Sequence, residues 1–129
     1  MSKVKEEGMM LQPPTVLPVD NLTGNAVVNV EGERLGTIAT YGIDLEQGRI
    51  AYAVLSVGGF RGFRDKWFAI PWDALQFSPH DKKFILNVNK ELLEHAPGFD
   101  KDNWPTPDNR QFALEVYKYY DQVPYWEQT

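Results

Sequence analysis

The run Gly58-Gly59-Phe60-Arg61-Gly62-Phe63-Arg64-Asp65 sets three glycines and two arginines between two apolar segments. Exposed backbone N–H groups beside guanidinium groups can hold a phosphate or carboxylate. A nucleotide-type phosphate loop would also need a Gly-Lys-Ser/Thr ending that opens a helix, and none follows here. The glycines serve a hairpin bend equally well, with Phe60 and Phe63 closing over one end of the fold, and this is the preferred reading. Arg61 and Arg64, with Gly58, Gly59 and Gly62, stand as the candidate contacts to a partner or anion.

The remaining reactive side chains suggest no reaction. His80 sits in a turn pattern and His95 at a helix end, too far apart in sequence to suggest a shared metal. Asp100-Lys101-Asp102-Asn103 opens like a calcium loop, but Trp104-Pro105 takes the place of the glycine turn and no closing glutamate follows. Asp44, Glu46, Asp73 and Asp81 are scattered carboxylates expected in solvated turns. No local motif groups a serine, a histidine and an aspartate. Trp72, after Pro71, reads as a plug of the core rather than a platform for bases. The chain has no cysteine, which excludes disulfides and zinc-thiolate sites. A non-enzymatic protein without a cofactor or metal is the expectation.

The elements that must position these groups follow from composition and pattern. The chain has 129 residues, of which 43% are hydrophobic and 24% charged, as expected for one globular domain. Lys plus Arg number 13 against 18 Asp plus Glu, a net charge of -5 that disfavours nucleic acid as the main partner. No apolar run reaches the roughly 18 residues of a membrane span, so no membrane insertion is expected. The first ten residues lead into no signal-peptide core, which makes a cytoplasmic protein the expectation and Asn21-Leu22-Thr23 a chance glycosylation match.

Residues 1–14 end in Pro13-Pro14 and read as an extended arm. Residues 15–105 carry the signature of short strands. Six are expected: Val27–Val30, Thr37–Leu45, Arg49–Val57, Lys66–Ile70, Gln76–Ser78 and Lys83–Val88. In the third, Ile50, Tyr52 and Val54 lie on one side and Ala51, Ala53, Leu55 and Val57 on the other, so both faces must be covered. Asn89 is a good N-cap for a short helix over Lys90–His95, stopped by Pro97-Gly98. Six closely spaced strands with few helices imply a mainly β fold, a small closed or nearly closed barrel.

Three stretches, "GERLGTIATYGIDLEQGRIAYAVLSVGG", "KWFAIPWDAL" and "FILNVNKELLEHAPGFDKDNWP", resemble in that order the PRC-barrel family. Its namesakes are the cytoplasmic domain of the photosynthetic reaction centre H subunit and a domain of a ribosome maturation factor. The resemblance covers roughly Val19 to Pro105 and implies a six-stranded β-barrel used as a docking module, as in a free-standing bacterial or archaeal member. It supplies no catalytic motif, and none of Asp44, Glu46, Asp73 and Asp81 maps onto the acidic residues that relay protons towards quinone in the H subunit.

Residues 106–129 lie beyond the resemblance. Thr106, Pro107 and Asp108 suit a helix start. Phe112, Val116, Tyr119 and Val123 then recur as one helical stripe, widened by Ala113, Tyr117 and Tyr120 and ended by Pro124. So aromatic a face needs cover. It either folds back on its own barrel, over the outer face of the third strand, or packs on a second copy. The second outcome is narrowly preferred, with Phe112, Val116, Tyr119, Tyr120 and Val123 as self-association candidates in a homodimer.

Three functional classes remain. A protein-binding or assembly module is the main expectation. An RNA- or ribosome-associated factor, drawn from the family alone, and a small-ligand protein using the barrel end are the alternatives.

Overall fold

The computed structural model describes residues 14–57, 66–106 and 110–127. Seven strands form a mixed sheet: β1 (Ala26–Val28), β2 (Arg34–Asp44), β3 (Arg49–Ser56), β4 (Lys66–Pro71), β5 (Leu75–Ser78), β6 (Lys83–Leu86) and β7 (Gly98–Asp100). Helix α1 spans Lys90–Glu94 and helix α2 Arg110–Tyr119. The spatial order is β5-β6-β1-β2-β3-β4-β7, antiparallel except for the parallel pair β1–β6.

Two expectations are corrected here. There are seven strands rather than six, and among the described residues no ladder joins β5 to β7, so the sheet is open rather than a closed barrel. The extra strand is β7, which pairs Phe99 with Trp67 and Gly98 with Phe68. Pro97-Gly98 carries the helix-stop signal, and three residues are too few to show alternation. At Gly98 a Cβ would lie 2.9 Å from the Trp67 carbonyl oxygen, so a glycine lets this strand approach β4.

The turns are set by local chemistry. The β2–β3 turn closes with the Gly48 N–H donating to the Asp44 carbonyl at 2.8 Å, and Gly48 takes a φ of +65°. The Asp44 carboxylate accepts from the N–H groups of Glu46 and Gln47 at 2.9 and 3.0 Å, an Asx turn. The β1–β2 turn is built around Asn29, buried although polar. Its Oδ1 accepts from the Glu31 and Glu33 N–H groups, and its Nδ2 donates to the Glu33 carboxylate at 2.9 Å. Asn29 therefore ends the first strand two residues earlier than the β-rich run predicts. The Asn89 side chain accepts from the Leu92 N–H at 2.7 Å, the N-cap that the sequence predicts.

The third strand is covered on both faces. Ala53, Val54 and Leu55 are all 0% exposed. Cross-strand partners share a face, which places Leu55 with Ile38 and Phe68, and Ala53 with Tyr41 and Ile70. These residues join Phe84, Leu86 and Trp72 in the main core. Trp72 meets Tyr41 and Phe84 edge-on at 5.8 and 6.0 Å, in the plugging position predicted for it. On the opposite face Val54 neighbours Ala69, and Tyr52 and Trp67 flank them.

That outer face is where α2 lies. Phe112 packs edge-on against Tyr52 and Phe99 at 6.1 and 5.8 Å, while Val116 and Tyr117 are fully buried. The chain thus covers its own two-faced strand, the first of the two outcomes open to the tail. The helix ends before Pro124, not at it. Asp121 takes a φ of +56°, its N–H donates to the Lys118 carbonyl, and the Gln122 N–H reaches back to the Tyr117 carbonyl at 2.9 Å. This is a Schellman ending with aspartate in the left-handed position that glycine usually fills.

Candidate functional site

Gly58, Gly59, Gly62, Arg61 and Arg64 lie outside the described residues, as do Pro107 and Asp108 of the helix start. His80 falls in the β5–β6 turn and His95 caps α1. Among the described residues no group of three or more His, Asp or Glu side chains is placed to hold a metal ion. Asp100 ends β7, and its carbonyl accepts from the Asn103 N–H at 2.8 Å in a simple turn. Asp81 accepts from the Ser78 hydroxyl at 3.3 Å.

The structure gathers functional side chains at the β2–β3 turn, where the tail returns after α2. A 3₁₀ turn over Tyr125–Glu127 brings the Tyr125 hydroxyl to donate to the Asp44 carboxylate. The Arg49 guanidinium stacks 3.8 Å above the Tyr125 ring and also lies 3.6 Å from Asp73. Arg110, at the first turn of α2, reaches Glu46 at 3.8 Å. Three of the four scattered carboxylates therefore have cationic or phenolic partners. Sequence periodicity could not show this, since Asp44 and Tyr125 are 81 positions apart.

The electrostatics follow from these contacts. The Tyr125 hydroxyl, then the turn N–H groups, hold the Asp44 carboxyl below the usual carboxylate range. Burial, and then the hydrogen bond to Asp44, push the Tyr125 phenol up. Burial also raises Tyr117 to about 12. Its hydroxyl donates to the Ala51 carbonyl at 2.5 Å, and the Tyr119 hydroxyl donates to the Leu92 carbonyl. Three tyrosine hydroxyls, spread along the tail, thus fasten it to β3, α1 and the β2–β3 turn.

Of the stripe predicted for self-association, Val116 and Tyr120 are buried within the chain and Phe112 and Tyr119 are half-buried, while Val123 is exposed. The chain packs the first four against its own core, and Val123 is 63% exposed. A different apolar group stands open. Ile43, Leu45 and Trp126 are 53%, 90% and 38% exposed. They border a groove of about 640 Å³ between the β2–β3 turn, the start of α2 and the Tyr125–Glu127 turn. Its rim carries Asp44, Glu46 and Glu127 against Arg110. Sequence reasoning missed this group because Leu45 reads as the end of a strand and Trp126 as a terminal residue.

The described residues form a mainly β sheet with a helical tail fastened across one face and an open groove where tail and sheet meet. The PRC-barrel domain model matches residues 14–93, more than half of the chain, and the protein belongs to that family. The match stops at the end of α1, so β7 and the tail lie outside it. A search of curated proteins gives no match. No helix among the described residues is long and apolar enough to cross a membrane.

Proposed function

We propose that this chain is a non-enzymatic protein-binding or assembly module of the PRC-barrel family. The supporting observation is the exposed trio Ile43, Leu45 and Trp126 around the groove at the β2–β3 turn. A group of apolar side chains that remain in water beside a concave surface marks an interaction site, and an indole ring is a frequent anchor of a protein interface. A groove of about 640 Å³ also falls within the size range of small-ligand sites, and the small-ligand reading rests on that volume. Its open form and the outward Leu45 favour the protein reading, because a small molecule gains little from a side chain that it cannot surround.

In-cell photo-crosslinking from position 45, with position 80 in the β5–β6 turn as the control, tests the proposal. A defined protein adduct from position 45 and none from position 80 is the expected result. No protein adduct from either position, with a metabolite retained on the purified chain in native mass spectrometry, overturns it in favour of a small ligand.

A further inference from the structure

We infer that the groove takes an extended segment of a partner protein in which apolar residues alternate with lysine or arginine. The inference rests on the protein-binding reading above and adds the partner's chemistry. Ile43 projects from the end of β2, Leu45 stands at the tip of the turn, and Trp126 faces them from the tail. The three supply apolar contact on both sides of the groove. Glu46 and Glu127 stand beside them on the rim, and Asp44, already held by the Tyr125 hydroxyl and near Arg49, adds a third carboxylate, against Arg110 as the cation among the described lining residues. Arg110 already lies 3.8 Å from Glu46, and both side chains remain more than four-fifths exposed, a solvated pair that an incoming cation can share. The rim therefore sets acidic groups among apolar ones.

That combination decides among occupants. A nucleic acid would bring phosphates to carboxylates. A second copy, docking about a two-fold axis, would set this patch of three carboxylates and one guanidinium against an identical patch, where like charges outnumber complementary pairs and are costly across an interface. The chain's own residues 1–13 carry Lys3 and Lys5 but also Glu6 and Glu7, so they offer the rim no net positive charge. A cationic-apolar segment satisfies both features together. Its apolar residues gain burial on Ile43, Leu45 and Trp126, and its cations complement the carboxylates and speed encounter.

The test is titration of the full chain, followed by calorimetry, with a short peptide of alternating leucine and lysine. Control peptides alternate serine with lysine and leucine with glutamate. The leucine-lysine peptide should bind and the controls should bind at least about tenfold more weakly. Ile43→Thr with Leu45→Ser, and separately Glu46→Lys with Glu127→Lys, should each weaken that binding by about tenfold or more. All four positions are exposed, so an unchanged melting curve checks that each variant is folded. Equal binding by either variant, or no binding by the parent, overturns the inference. Light scattering that shows a parent dimer, dissociated by Ile43→Thr with Leu45→Ser, overturns it in favour of a second copy. If the position-45 crosslink persists while the peptide fails, only the partner's chemistry is wrong. If both fail, the binding-module reading falls with it.

Discussion

The two faces of β3 are sealed by different parts of the chain and in different ways. The inner face is closed by residues of the family core: Leu55 and Ala53 meet Ile38, Phe68, Ile70 and Phe84 in an apolar cluster. The outer face is closed by the tail, in a layer where Tyr52, Trp67, Phe99, Trp104 and Phe112 meet through ring contacts of 4.9 to 6.5 Å. The inner seal rests mainly on aliphatic burial, which depends on area and fit, with a single tyrosine bond, from the Tyr41 hydroxyl to the Leu22 carbonyl, among its described residues. The outer seal adds directed hydrogen bonds, from the hydroxyls of Tyr117, Tyr119 and Tyr125 to two backbone carbonyls and one carboxylate. Val116, Tyr117, Tyr120 and Tyr125 belong to the same buried cluster as Leu55 and Phe84, and the hydroxyls tie that part of the core to fixed points on β3, α1 and the β2–β3 turn.

The comparison breaks most severely if a charge is placed at the strand itself. Leu55→Asp and Val54→Asp each bury a carboxylate at a position with 0% exposure, and each should cost about 4 kcal/mol or more. Chemical denaturation measures both. If Val54→Asp unfolds like the parent while Leu55→Asp collapses, the outer face is not sealed by the tail.

Tyr117 sharpens the outer half of the comparison. Its side chain is fully buried, so Tyr117→Ala should cost about 3–5 kcal/mol. Tyr117→Phe keeps the ring, leaves the Ala51 carbonyl without its donor, and should cost only about 1 kcal/mol. Equal losses from the two variants would show that the hydroxyl, not the ring, holds the tail. Light scattering on the full chain and on a chain ending at Pro105 complements this measurement. A dimer lost on truncation, leaving a folded monomer, would show that the tail also serves a second copy.

Gly98→Ala tests the join between the two seals, because β7 pairs with the core strand β4 and carries Phe99 of the outer layer. The added methyl would sit 2.9 Å from the Trp67 carbonyl oxygen and 3.0 Å from the Phe68 ring. The strand must shift outward, at a cost of about 1–3 kcal/mol. A neutral result by thermal melting would mean that β7 contributes little to either layer.

The inner seal was largely legible in the sequence, and the outer one only in part. Strand β3 declared both its faces through Ile50 to Val57, and Asn89 declared the start of α1, because periodicity and capping are local signals. The stripe Phe112, Val116 and Tyr119 declared a helix that needs cover. It could not say whose surface provides that cover, since burial on self or on another copy satisfies the same hydrophobic demand. Pro124 pointed to a helix end, yet the helix stops at Asp121, because a left-handed aspartate is a conformational choice that residue type only permits. Strand β7 hid behind Pro97-Gly98. The Asp44–Tyr125 contact and the groove depend on chain reversals that no local pattern records.

The smallest expected effect lies where the tail ends. Asp44 titrates below the ordinary carboxylate value of about 4, chiefly because the Tyr125 hydroxyl donates to it. The folded state therefore binds its proton less readily than the unfolded chain does. That contribution to stability is fully present above the unfolded value, and it is lost as pH falls through the lower, folded value. In Tyr125→Phe the leading cause is gone, while the Glu46 and Gln47 N–H groups still donate to Asp44. The Asp44 carboxyl, followed by NMR, should then titrate at higher pH than in the parent, though still depressed. The stability of Tyr125→Phe should correspondingly fall less steeply between about pH 5 and pH 2 than the parent's. The change will be modest, because the carboxylate remains partly solvated and its turn contacts persist. An Asp44 titration unmoved by Tyr125→Phe would show that the turn alone sets this carboxylate, leaving the Arg49–Tyr125 stack and the Arg110–Glu46 pair as the polar contacts of the tail at this turn.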